Sequence, residues 1–142
     1  MDAGCGFGEY YNYLEKNSKK PKEYIGIDIE DEMIQRAKLR FSNITFEKKD
    51  VLADELIEAD YYVCSGAMNI LTKDEMFMFI DKCFQASKKG FAFNFLKKDS
   101  FNNITVSEVL SHCKHLSRDI YIKDNYLEND ISVYLKKHDL TN

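Results

Sequence analysis

Long apolar runs are missing from this sequence. None approaches the roughly 18 residues that a membrane span requires, so no membrane partner is expected. No signal peptide is expected either, because a glycine-rich stretch stands where one would sit. The four cysteines, Cys5, Cys64, Cys83 and Cys113, lie far apart and form no CxxC pair. That spacing excludes a zinc knuckle or a dithiol redox motif, and no metal is expected. Free thiols suit a reducing compartment, so the expected location is cytoplasmic. A basic excess is also lacking: 20 Lys and Arg stand against 24 Asp and Glu, for a formal net charge of -4. An obligate nucleic-acid partner is therefore not expected, although a local basic patch can still steer a polyanion. Proline is reduced to Pro21, and His112, His115 and His138 have no acid at a telling spacing and read as surface residues.

What is present suffices for one core. The chain has 142 residues, 44% of them hydrophobic, which is ample for one domain and too short for two comfortable ones. A glycine-rich turn at residues 4–8 runs into a helix predicted over residues 9–20 and ended by Pro21. A β-branched run at residues 23–29 reads as a buried strand. Residues 31–41 form a helix with Met33, Ile34, Ala37 and Phe41 on one stripe, and residues 44–48 form the next strand. Further along, residues 60–65 read as a strand and residues 73–87 as a helix closed by Lys88, Lys89 and Gly90. A strand at 91–96, a helix at 106–115 and two closing strands at 119–123 and 130–136 complete the pattern. Alternating strands and helices specify an α/β fold with a mostly parallel sheet, helices on both faces and a terminal antiparallel hairpin. The phenylalanines at 77, 79, 84, 91, 93 and 95 read as core.

Chemistry gathers at three acidic positions. Asp2-x-Gly4-x-Gly6-x-Gly8 lies where a strand gives way to a helix, and residues without a Cβ let a ligand approach the backbone closely. A dinucleotide fingerprint places its third small residue at position 9, which here is Glu9; the tighter spacing suits a ligand without a pyrophosphate. Asp28 ends the second strand, 20 residues beyond Gly8, where a carboxylate can accept from both hydroxyls of a ribose. Asp50 follows the third strand with Val51 and Leu52 beside it, an acceptor for an exocyclic amine next to apolar surface for a purine. Together these positions describe an adenosine site.

The stretches Asp2-Ala-Gly-Cys-Gly-Phe-Gly8, Ile25-Gly-Ile-Asp-Ile29 and Lys49-Asp-Val-Leu52 resemble the class I S-adenosylmethionine-dependent methyltransferases, with residues 60–65 as the fourth strand. The resemblance covers nearly the whole chain. It implies a Rossmann-like methyltransferase sheet and S-adenosylmethionine as cofactor. It places Asp2, Gly4, Cys5, Gly6 and Gly8 under the methionine part, Asp28 at the ribose, Ile29 against adenine, Asp50 with Val51 at the adenine amine, and Cys64 and Ser65 beside the methyl group. Members that methylate amides or base amines often carry an Asn or Asp, two prolines and an aromatic after strand four. Here that stretch is Cys64-Ser-Gly-Ala-Met-Asn69, so a different acceptor, a small molecule, is expected.

In that family the acidic glycine motif follows a complete central strand and preceding helices. Here it begins one residue after Met1, so the expectation is a single domain over residues 1–142 that lacks most of strand one and the N-terminal helices. A vacated central position would favour self-association through unpaired strand edges. Methyl transfer from a sulfonium needs mainly an in-line nucleophile held close, so no catalytic triad is expected and no general base is assigned. Two other readings stay open: a methyltransferase-like binding or interaction module without activity, and a nicotinamide-dependent oxidoreductase, which Glu9 and the closing hairpin disfavour.

Overall fold

In the computed structural model, which describes residues 1–138, the alternating runs become seven strands and four α-helices. In chain order these are β1 (Asp2–Ala3), α1 (Glu9–Lys16), β2 (Ile25–Asp28), α2 (Asp31–Arg40), β3 (Thr45–Lys48) and β4 (Ala59–Cys64), followed by a 3-10 turn at Ala67–Ile70. After it come α3 (Lys73–Ala86), β5 (Ser87–Leu96), α4 (Val106–Leu116), β6 (Asp119–Lys123) and β7 (Asp130–Lys136). The strands form one sheet in the order β3-β2-β1-β4-β5-β7-β6. The first five pair in parallel, and β7 runs antiparallel to both β5 and β6. The expected α/β sheet with a closing hairpin is thus present.

β1 is two residues long yet central. Asp2 pairs with Gly26 on one side and Val63 on the other, while the Met1 ammonium donates to the Tyr61 carbonyl at 2.9 Å. A cavity of about 770 Å3 adjoins this end of the strand, bordered by Met1, Ile25, Ala59 and Tyr61.

Alternation along the strands sorts side chains onto two faces. Ala3, Ile27, Tyr62, Phe91, Phe93 and Phe95 face the main core, where Met76, Phe79 and Ile80 of α3 and Val109 of α4 meet them. The other face holds Phe46 with Cys5, Ile34 and Ala37 under α2, and Tyr11 of α1 packs its ring 4.9 Å from that of Tyr24. On this second face one row crosses the sheet: Phe46, Gly26, Asp2, Val63, Ala92, Tyr134 and Tyr121. Helices α3 and α4 each start on a capping box, Thr72 with Glu75 and Thr105 with Glu108, which satisfies two otherwise unpaired N–H groups at each start.

Three local readings are corrected by the structure. Helix α1 stops at Lys16 rather than running to Lys20, because Ser18 turns the chain with φ 54°, ahead of Pro21. Lys88, Lys89 and Gly90 do not close α3; they belong to β5, which begins at Ser87. There Lys88 and Lys89 reach Glu58 and Asp60 on the neighbouring segment, and Gly90 is needed because a Cβ would stand 2.5 Å from the Leu135 carbonyl oxygen. Finally, His112 is not a solitary surface residue: it stacks on Phe77 and meets Asp81 Oδ1 at 2.6 Å, between α4 and α3. Helix packing supplies that partner, and sequence spacing cannot show it.

Candidate functional site

Strand order reverses between β1 and β4, and in open α/β sheets the crevice outside the strand ends at such a point takes ligands. The glycine loop leaves β1 here. Its first amides, Gly4 and Cys5, both donate to the Ile27 carbonyl at 2.8 and 3.0 Å, which ties the loop to the end of β2. Gly4 packs so tightly that a Cβ would lie 2.3 Å from that of Ala67. Gly6 differs: it has φ +54° and a Cβ there would meet nothing within 4 Å. The first glycine is a packing requirement and the second leaves open space.

Asp28 closes β2 and is half-buried. Its Oδ2 accepts the Gly6 N–H at 2.9 Å and its Oδ1 accepts the Glu30 N–H at 2.9 Å. Each carboxylate oxygen has two acceptor sites, so capacity remains for two ligand hydroxyls. Next to it Ile29 is 54% exposed, an apolar surface held at the crevice. Asp50 follows β3, and Lys49 N–H donates to the Asp28 carbonyl at 2.9 Å, so the two acids stand on adjoining strand ends. Asp50 Oδ1 accepts from Leu52 N–H at 2.9 Å, while Oδ2 carries no hydrogen bond among the described residues. Val51 is packed in the core and offers the crevice little surface.

Asp2 lies in the sheet at 1% exposure, and Tyr24, two residues ahead of Gly26, donates its hydroxyl to Asp2 Oδ2. Burial pushes the Asp2 carboxyl up to about 6, and the hydrogen bond from Tyr24 only partly opposes this. The same burial raises the Tyr24 hydroxyl. Cys5 and Cys64 are buried thiols; desolvation raises the first and pushes the second up to about 12, so neither is a thiolate nucleophile at neutral pH.

Beyond β4, Ser65 is exposed and Gly66, with φ 80°, turns the chain into the 3-10 segment. A cavity of about 330 Å3 opens beside Ser65 and extends over the second sheet face between Tyr10, Asn94, Tyr121 and Tyr134. The sequence-predicted residues therefore fall into two groups. Gly4, Gly6, Asp28, Ile29, Asp50 and Ser65 surround the crevice, whereas Asp2, Cys5, Val51 and Cys64 lie beneath it with buried side chains and Gly8 is buried against Phe41 and Phe46. Sequence reasoning missed Tyr24 and Asn94. Asn94 left a signal, a polar residue alternating with Phe93 and Phe95; Tyr24 left none, because its link to Asp2 needs the strand register. Among the described residues no cluster of His, Cys, Asp and Glu fit for a metal ion occurs, and no helix is long and apolar enough to cross a membrane.

Comparison with known proteins gives the family. A family model described as a methyltransferase domain matches residues 1–90. A Mycobacterium tuberculosis protein named as a candidate methyltransferase is 36% identical over 104 residues, which cover 67% of this chain and 61% of that protein. The chain thus spans less than two thirds of this relative's length. Among solved structures, magnesium protoporphyrin IX methyltransferase from Synechocystis PCC 6803, with bound S-adenosylmethionine, superimposes with a TM-score of 0.78 at 14% identity, over 96% of this chain and 68% of that one. An S-adenosylmethionine-dependent methyltransferase from Mesorhizobium loti gives 0.76 at 15% identity, over 96% and 89% of the two chains. At such identities the likeness is one of fold. The family match spans the glycine loop, Asp28, Asp50 and Ser65, and by it this chain belongs to the methyltransferase domain family.

Proposed function

We propose that the crevice binds S-adenosylmethionine and that the protein transfers its methyl group to a small-molecule acceptor. The carrying observation is the bond between Gly6 N–H and Asp28 Oδ2 at 2.9 Å, which joins an open glycine backbone to a carboxylate with spare acceptor capacity. The fit extends to both ends of the ligand. Space over Gly6 suits the methionine part, Asp28 suits the ribose hydroxyls, exposed Ile29 suits one adenine face, and Asp50 Oδ2 suits the adenine amine.

The cofactor supplies, when bound, a methyl group activated by a positively charged sulfur. The chain's part is to bind and to orient. Holding the acceptor in line with that methyl replaces a bimolecular encounter, and effective molarities of about 10⁵ M or more are available from orientation alone. The cavity of about 330 Å3 beside Ser65 is where the acceptor would enter, and its tyrosine walls suit a ligand with an apolar or aromatic body. One sheet carrying all seven strands supports reading the chain as one domain.

Isothermal titration with S-adenosylmethionine and S-adenosylhomocysteine tests the proposal, with NAD as the comparison ligand and Asp28→Ala as the control. Micromolar binding of the first two, lost in the variant, supports it. A folded sample that binds neither, or that binds NAD instead, refutes it.

A further inference from the structure

The segment after β4 is fastened to β5 from both sides. Asn94 on β5 accepts the Gly66 N–H at 2.6 Å, and in return Asn69 of the segment accepts the Leu96 N–H at 3.2 Å. Asn94 also has a second bond. Its Nδ2 donates to Asp130 Oδ2 at 2.9 Å, and the same oxygen accepts from the Tyr126 hydroxyl at 2.5 Å. Tyr126 in turn meets Ser132 Oγ at 2.7 Å. Asp130 is buried at the start of β7, in the closing hairpin.

The direction of this chain of bonds follows from chemistry. An amide side chain can turn either end toward a neighbour, but a carboxylate accepts, so Asp130 selects the NH2 end of Asn94. The Oδ1 end is thereby turned to Gly66, whose N–H it can accept. Asn94 sits on β5 between Phe93 and Phe95, which point into the core, and it lines the cavity beside Ser65 together with Ser132. A polar group placed there adds nothing to the apolar packing, while its two bonds join the hairpin to the crevice.

We propose that Asn94 and Asp130 are positioning residues for the methyl end of the cofactor site. Asp130 orients the Asn94 amide, and Asn94 holds Gly66 and with it Ser65 at the place where the methyl-bearing end of the ligand lies. The inference rests on reading the crevice as an S-adenosylmethionine site. It predicts a split between the two ends of that ligand, because Asp28 and Asp50 stand on other strands and do not depend on this network.

Titration of S-adenosylmethionine and of adenosine alone reads the split. Asn94→Ala removes both bonds and is expected to weaken S-adenosylmethionine about tenfold, the equivalent of one hydrogen bond, while adenosine stays within about twofold. The joint exchange Asn94→Asp with Asp130→Asn keeps an oxygen acceptor facing Gly66 N–H and an NH2-to-carboxylate bond between the two side chains, with the Tyr126 hydroxyl turned to accept from the new NH2 and donate to Ser132, so it is expected to bind about as the wild type does. Unchanged S-adenosylmethionine binding in Asn94→Ala overturns the proposal. So does an equal loss of both ligands, which marks a merely structural role, or a folded exchange variant as weak as Asn94→Ala. Binding of neither ligand by the wild type refutes the cofactor reading and this inference with it. Should the variants fail to fold, amide hydrogen exchange in the wild type decides: a protected Gly66 N–H supports the clamp, and exchange at the rate of an open loop overturns it.

Discussion

Asp28 and Gly6 are joined by a 2.9 Å hydrogen bond from loop backbone to carboxylate, so the acid suited to the ribose also shapes the loop suited to the methionine part. Loop geometry and the proposed ligand recognition therefore depend on one side chain. Asp28→Ala is expected to lower melting stability by about 1–3 kcal/mol, for the two amides left without acceptors, and to abolish measurable ligand binding. Asp28→Asn keeps an acceptor and should retain most of the stability while still losing affinity. Calorimetry on both variants checks the separation.

Two of the loop glycines, Gly4 and Gly6, should fail differently. Gly4→Ala drives a methyl group against Ala67 at 2.3 Å with φ +74°, and a loss of about 2 kcal/mol or more in chemical denaturation is expected. Gly6→Ala meets no protein atom within 4 Å, so its cost is confined to the positive φ, about 1–2 kcal/mol. Its methyl group instead occupies the open space proposed for the ligand. Denaturation and titration measured together should show the first variant mainly unstable and the second mainly unable to bind.

Asp2 gives stability a slope with pH. Its folded carboxyl lies at about 6 against an ordinary 3.8, because burial outweighs the bond from Tyr24. The native state thus holds this proton more tightly than the unfolded chain. The favourable contribution is complete below the ordinary value and is lost as pH rises through about 6. At neutral pH this leaves a cost on the order of 3 kcal/mol. In Asp2→Asn the fall in melting temperature across that window should flatten, as thermal scans at a series of pH values would show.

Glu108 slopes the opposite way. The bonds its carboxylate accepts from Lys73 and from the Thr105 N–H hold its carboxyl down at about 2, so its contribution is present above the ordinary value of 4.5 and is lost as pH falls through about 2. Lys73→Ala should raise the Glu108 pKa toward the ordinary range, read from the side-chain carboxyl shift by NMR.

Periodicity made the sheet legible. Alternation at Phe91, Phe93 and Phe95 and the helical stripe of Ile34 and Ala37 both survive as buried faces. The crevice was legible as well, because the loop, Asp28 and Asp50 each end or follow a strand and need only local spacing to be found. Boundaries were harder. The run Lys88-Lys89-Gly90 reads as a helix stop by composition, but contacts from Glu58, Asp60 and Leu135, far away in sequence, make it strand. The same holds for pairs joined by tertiary packing. Tyr24 with Asp2, His112 with Asp81 and Asn94 with Asp130 lie 22, 31 and 36 positions apart, and no local pattern links them.

The walls of the cavity beside Ser65 make it optically legible. The chain has nine tyrosines and no tryptophan, so its ultraviolet emission comes from phenol rings alone. Three of these, Tyr10, Tyr121 and Tyr134, line that one cavity, and Tyr121 and Tyr134 are stacked 5.9 Å apart. A molecule that enters displaces water from these rings and alters a signal that no stronger emitter masks. The protein therefore carries its own unlabelled reporter for an acceptor search, with three of its nine emitting rings on the surface the acceptor would touch.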